Sequence, residues 1–145
     1  HPLVKELKPQ FENAKKGAEA ARKKADKARK SAEAAKRRAA DLERKFKDAD
    51  RQASASPDDE NLKKKAAELK AQADEAGRER QELEKKSDTE RLANEAAQKL
   101  RQELEKKFHR ASNSKKKFEL AKAEIEAARL HAEYARRDHK ALNGK

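Results

Sequence analysis

The 145-residue chain has no cysteine, methionine or tryptophan, and only three glycines, three prolines, four phenylalanines and one tyrosine. Without cysteine there can be no disulfide and no thiolate metal site, and the redox compartment is left unread. No apolar run approaches the ~20 residues of a membrane span, and no signal-peptide core is present. Bulky apolar side chains are scarce as well: 30 of the hydrophobic residues are alanine and only 19 are larger. The chain is 47% charged, where an ordinary domain has about 25%, so a globule enclosing a catalytic pocket does not fit. Beginning at His1 and lacking Met, the chain reads as a mature processed product or an excised fragment.

What remains is rich in Ala, Glu, Lys, Arg, Gln and Leu, the strongest helix formers, which argues for long helices rather than disorder. Alternating steps of three and four from Val4 give Leu7, Phe11, Ala14, Ala18, Ala21, Ala25, Ala28, Ala32, Ala35, Ala39, Leu42, Phe46, Ala49 and Ala53. All are apolar. A 3.5-residue period held this long specifies a coiled-coil seam, because the 3.6 period of a lone helix drifts by about 20° per heptad. Pro9 fits a helix's first turn and Pro2 a separate entry turn, so the first helix is expected over about 8–54.

Residues Ser54 to Asp59 interrupt the pattern. Ser56 can cap, Pro57 suits a first helical position, and Asp58, Asp59 and Glu60 favour the positive helix end, which predicts a turn at 54–58 and a return helix over about 58–142. Such a short connection makes the helices antiparallel neighbours. The seam resumes at Leu62, Ala66, Leu69, Ala73, Ala76, Arg80 and Leu83. A second frame then runs Ala93, Ala97, Leu100, Leu104, Lys107, Ala111, Ser114, Phe118, Ala121, Ile125, Ala128, Ala132, Ala135, His139 and Leu142, implying a three-residue slip. A break near 84–92, at the capping-box pattern Ser87-Asp-Thr-Glu90, is read as a stammer or a helix boundary, the stammer being favoured because no Gly or Pro lies there. A turn at 111–114 would instead give a third helix. The fold class is therefore all-α, a long antiparallel coiled-coil hairpin with an Ala-rich seam or a three-helix bundle, forming one elongated domain over 1–145. Gly77, inside the second helix, is expected to permit close helix approach or local flexibility.

Net charge is +12, of which residues 1–57 carry +8 and the remainder +4. Glu12, Glu19, Asp26 and Glu33 are each followed four residues later by a base, as on a solvated helix face. The seam flanks hold Lys15, Arg22, Arg29 and Lys36 on the first helix and Lys115, Lys122, Arg129 and Arg136 on the last. Basic flanks on both helices do not neutralise one another, so these eight residues form a candidate edge for a surface polyanion. Their bland alternative is solubility. Aromatic interleaving and nucleic-acid reader motifs are missing. His1, His109, His131 and His139 fall in no metal-binding spacing, and His131, Tyr134 and Asp138 read as a solvated cluster. No catalytic residue, metal site, cofactor or small-molecule substrate is assigned, and no enzyme activity is expected.

At the entry to the first helix, His1-Pro2 and then Phe11-Glu12-Asn13-Ala14-Lys15 open the Ala- and charge-rich heptads. This resembles the start of the receptor-binding coiled coil of nuclease-type colicins and related bacteriocins. The resemblance implies a cysteine-free antiparallel hairpin separating translocation and toxin domains, with a protein receptor met at the tip, here Ser54, Ser56, Pro57, Asp58 and Asp59. This tip departs from the family pattern in having no aromatic residue or glycine. The expected function is thus a non-enzymatic binding or spacer module, secreted or at the cell surface. The rivals are a structural coiled coil forming homodimers and a basic bundle on anionic membrane or nucleic acid.

Overall fold

A computed structural model describes the backbone of residues 2–143 and the side chains of residues 2–140. His1 and the side chain of Leu142, both named above, lie outside the described residues. Two helices account for nearly all of it: α1, Pro2–Ala55, and α2, Glu60–Asn143. The fold is an all-α helical hairpin. Among the described residues there is no strand.

Helix α1 starts at Pro2 rather than near Lys8 and carries Pro9 inside it. Pro2 suits the first helical position, where a missing N–H costs nothing. Pro9 deletes one backbone hydrogen bond. The residues before it stay helical because Leu7 is buried, so the first two turns have an apolar anchor of their own. All fifteen seam positions from Val4 to Ala53 are buried or half-buried, and the only other α1 residues not fully exposed are Asp26 and Asp41. Each buried methyl contributes about 0.8 kcal/mol, so the alanine seam stabilises by repetition rather than by any single contact.

The turn differs from the expected one by its capping residue. Ser54 and Ala55 are still helical, and the Ser56 N–H closes α1 onto the carbonyls of Gln52 (3.2 Å) and Ala53 (3.3 Å). The Asp59 N–H then donates to the Ser56 carbonyl at 3.0 Å, making a four-residue turn with Pro57 second, where its fixed φ is favoured. Asp59, not Ser56, caps α2: its Oδ1 accepts from the N–H of Asn61 (3.0 Å) and of Leu62 (3.2 Å). Its carboxylate also meets the positive end of the helix. Pro57 therefore belongs to the turn, and α2 begins at Glu60.

Neither expected interruption of α2 exists. Around 84–92 the helix is continuous; the Thr89 hydroxyl donates to the Lys85 carbonyl one turn back (3.0 Å) instead of capping a new helix. Around 111–114 it is continuous too, and no third helix forms. More telling is the register. The buried and half-buried line of α2 runs Leu62, Ala66, Leu69, Ala73, Ala76, Arg80, Leu83, Ser87, Glu90, Asn94, Ala97, Arg101, Leu104, Phe108, Ala111 and Lys115, in unbroken steps of four and three. No stammer occurs. The second frame read from Ala93 is instead an exposed line wherever it differs: Ala93, Leu100, Lys107, Ser114 and Phe118 all face solvent, while Ala97, Leu104 and Ala111 belong to both lines.

Contacts cluster into two compact units. One comprises residues 16–99, in which Arg38 lies 3.7 Å from Glu79 and Gln98 reaches Ala18, so α1 and α2 run antiparallel. At its turn end Ala49, Ala53 and Ala66 form the core with Leu62 and Leu69 packed against it. The other unit comprises residues 1–15 and 100–145, where Phe11 stacks on Phe108 with ring centroids 5.7 Å apart. In that unit Leu3 and Leu7 line one groove with Lys107, Arg110, Ala111 and Ser114.

Gly77 is not required by close approach: a Cβ built there meets nothing within 4 Å. Gly77→Ala should therefore stabilise the hairpin by about 0.5–1 kcal/mol in urea unfolding, through helix propensity alone. Asp59→Ala should cost about 1 kcal/mol by the same measurement, whereas Ser56→Ala should cost clearly less because its hydroxyl is not the cap.

Candidate interaction surfaces

Two candidate surfaces follow from the sequence, the flank bases and the tip, and the structure adds a third, the exposed segment of α2 from Lys116 to Lys140. In the 16–99 unit, Arg22, Arg29 and Lys36 are exposed along α1. They stand among acids of the same helix. Arg22 Nη2 lies 2.7 Å from Glu19 and Nη1 3.4 Å from Asp26, and Arg29 lies 3.0 Å from Glu33. The hydrogen bond from Arg22 to Glu19 raises its pKa further above the usual arginine value. Exposed pairs of this kind stabilise little singly, but together they offset the positive field that a polyanion would meet. Asp41 is held below the usual carboxylate range by hydrogen bonds from Lys45 and then Arg44. Its contribution to stability is accordingly present above the ordinary aspartate pKa and lost as pH falls through the lowered one.

The tip is polar throughout. Ser56, Pro57, Asp58, Asp59, Glu60 and Asn61 line an open groove, and Ser54 lies one turn back on α1. Asp59 is already engaged with two backbone amides. Nothing there offers an apolar anchor of the kind on which protein interfaces centre.

The middle of the hairpin seam carries a polar stretch, of which the sequence pattern included only Arg80 in the seam. Gln98 Nε2 donates both to the Ala18 carbonyl (3.1 Å) and to Asn94 Oδ1 (3.2 Å), and Ala18 is fully buried beneath it. Glu90 shares a groove with Lys24, Lys27, Lys86 and Ala28. Arg80 donates to Glu84 at 2.9 Å over the groove containing Ala39, Ala73 and Gly77. Long polar side chains cross the small alanines of α1 and keep their heads in water.

Past Lys115, α2 has no cover. From Lys116 to Lys140 every side chain is exposed except that of Glu133, which is half-buried. Phe118 is 66% exposed, Ile125 71%, Leu120 62% and Tyr134 62%, with the Arg137 guanidinium 5.9 Å from the Tyr134 ring centre. Two apolar lines run along this arm at seam spacing. The first, Phe118, Ala121, Ile125, Ala128, Ala132 and Ala135, was expected to be buried and is not. The second, Leu120, Ala123, Ala127, Leu130 and Tyr134, escaped the sequence reading although the same three-four spacing displays it. Being two residues out of phase, the lines lie about 155° apart around the helix.

The charges on the arm are sorted between these lines. Lys115, Lys122, Arg129 and Arg136 form a basic column beside the first line, Lys115 half-buried and the others exposed. Glu119, Glu126 and Glu133 form an acidic column beside the second, and Arg129 touches Glu126 at 2.6 Å. Lys117, Glu124, His131 and Asp138 form a mixed column on the far side. His109 lies 3.7 Å from Glu105, outside this pattern. Among the described residues no group of three or more His, Cys, Asp or Glu side chains converges on a metal-sized site, and no helix is long and apolar enough to cross a membrane.

Compared with known proteins, the chain matches no family model, no curated protein and no solved structure.

Proposed function

We propose that the protein is a non-enzymatic interaction module, in which the α1–α2 hairpin holds out the 116–140 arm of α2 as its binding surface. The supporting observation is the continuous exposure of Phe118, Leu120, Ile125, Leu130 and Tyr134 on a regular helix. Exposed apolar side chains scattered singly need no explanation, but five on two heptad-spaced lines in one short segment mark a surface that another helix completes. The narrower form of this reading, a bacteriocin receptor-binding arm, would put recognition at the tip. The tip presents serine, proline and acids only, so binding is better placed on the arm.

A polyanion-binding role has weaker support, since Arg22 and Arg29 already hold carboxylates. An interfacial membrane helix has one wide apolar face opposite a charged one, whereas this arm has two narrow lines on nearly opposite sides. The surface therefore suits helices better than a lipid plane.

Tyr134 is the only tyrosine in a chain without tryptophan, so its fluorescence reports on the arm directly. Acrylamide quenching should decrease when the arm is covered, whether by the protein itself at high concentration, by phosphatidylserine vesicles or by heparin. Quenching of Tyr134 that stays at the dilute-protein level under all three conditions would overturn the reading. Phe118→Glu combined with Ile125→Glu should abolish the protection while changing hairpin stability by no more than about 0.5 kcal/mol, because both positions are solvent-facing.

A further inference from the structure

Resting on the reading of residues 116–140 as a binding arm, we propose that its partner is the arm of a second copy, docked parallel, with the first apolar line of one copy against the second apolar line of the next. Symmetric pairings are disfavoured by charge. Pairing the first line with itself in antiparallel fashion sets Lys122 against Arg129 and Lys115 against Arg136; pairing it with itself in parallel sets Lys117 against Lys122 and His131 against Arg136, with Glu124 against Arg129 the one attractive contact. The unlike pairing removes these clashes.

A shift of two residues, about 3 Å along the helix, brings the two lines into layers. Phe118 then meets Leu120 and Ala121 meets Ala123, while Ile125 meets Ala127, Ala128 meets Leu130 and Ala132 meets Tyr134, a large side chain facing a small one in these last three layers. The same shift fixes the flanks. In a parallel coiled coil each residue following the seam faces the residue that precedes the partner's seam one heptad earlier. Lys122, Arg129 and Arg136 of one copy thus face Glu119, Glu126 and Glu133 of the next. On the other flank Lys117 faces Glu124, Glu124 faces His131, and His131 faces Asp138. Each of these flank pairs joins an acid to a base or to histidine, so the charged pattern selects this register.

The interface joins unlike surfaces, so the second line of the first copy and the first line of the second remain open. Such head-to-tail contacts close into rings or extend into open rows. With the lines about 155° apart, successive arms lie nearly side by side, which favours an open row of more than two copies.

The test uses full-length protein in sedimentation equilibrium at about 0.15 M salt, where distant charge repulsion between +12 chains is screened. The weight-average mass of the wild type should rise with concentration from 16.5 kDa to more than twice that value. Two triple variants separate this arrangement from others: Lys122→Glu with Arg129→Glu and Arg136→Glu, and Glu119→Lys with Glu126→Lys and Glu133→Lys. Each alone should remain monomeric, since its basic or acidic column now faces its like. Their equimolar mixture should regain the wild-type mass, because each supplies the column the other needs. A monomeric wild type up to millimolar concentration overturns the proposal, as do reversed variants that associate like the wild type or a mixture that does not recover. If the wild type stays monomeric yet Tyr134 is shielded by vesicles or heparin, self-docking fails while the arm as a binding surface stands.

Discussion

The whole hairpin depends on one constraint: two helices with a 3.5-residue apolar period can stay in contact only if neither changes phase. Helix α1 supplies an uninterrupted line, fifteen residues long, that is alanine through most of its length. A slip of three residues in α2 would rotate its apolar face away from that line. The buried path of α2 therefore keeps its phase from Leu62 to Lys115 and accepts Ser87, Glu90, Asn94 and Arg101 along the way. Alanine makes this tolerable, because a methyl group leaves room for a polar stem to pass over it and reach water. The Gln98 contact with the Ala18 carbonyl ties the stretch together, the kind of polar seam contact that specifies register at some cost in stability.

That compromise explains what could be read from the sequence and what could not. The seam of α1, the hairpin and the position of the turn were legible, since apolar residues alone mark them. The path of α2 after Leu83 was not, because patterning follows apolar residues and Ala93 and Leu100 outrank Asn94 and Arg101 on that criterion. The deciding information sits in α1, whose phase never shifts. Capping was misassigned for a related reason: Ser56 and Asp59 are both competent caps, and only the geometry of Pro57 as the second residue of a turn decides between them. The overhang of α2 followed from helix lengths, but its two-sided character was hidden by treating the line through Phe118 and Ile125 as a buried seam.

The same leftover phase gives the arm its character. The line shared by Ala97, Leu104 and Ala111 is covered, and the same line continues through Phe118 and Ile125 as exposed side chains. A second line lies on the far side, and the charges between them are separated by sign.

The absence of cysteine permits a direct test of the unbroken register. Single cysteines at Ala93, Asn94, Leu100 and Arg101 can be labelled with a maleimide under native conditions, each rate being divided by that of the same variant in denaturant. The account predicts that positions 94 and 101 are slowed while 93 and 100 react as exposed thiols. Slow labelling at 93 and 100 with fast labelling at 94 and 101 would contradict it and place a phase slip in α2 after all.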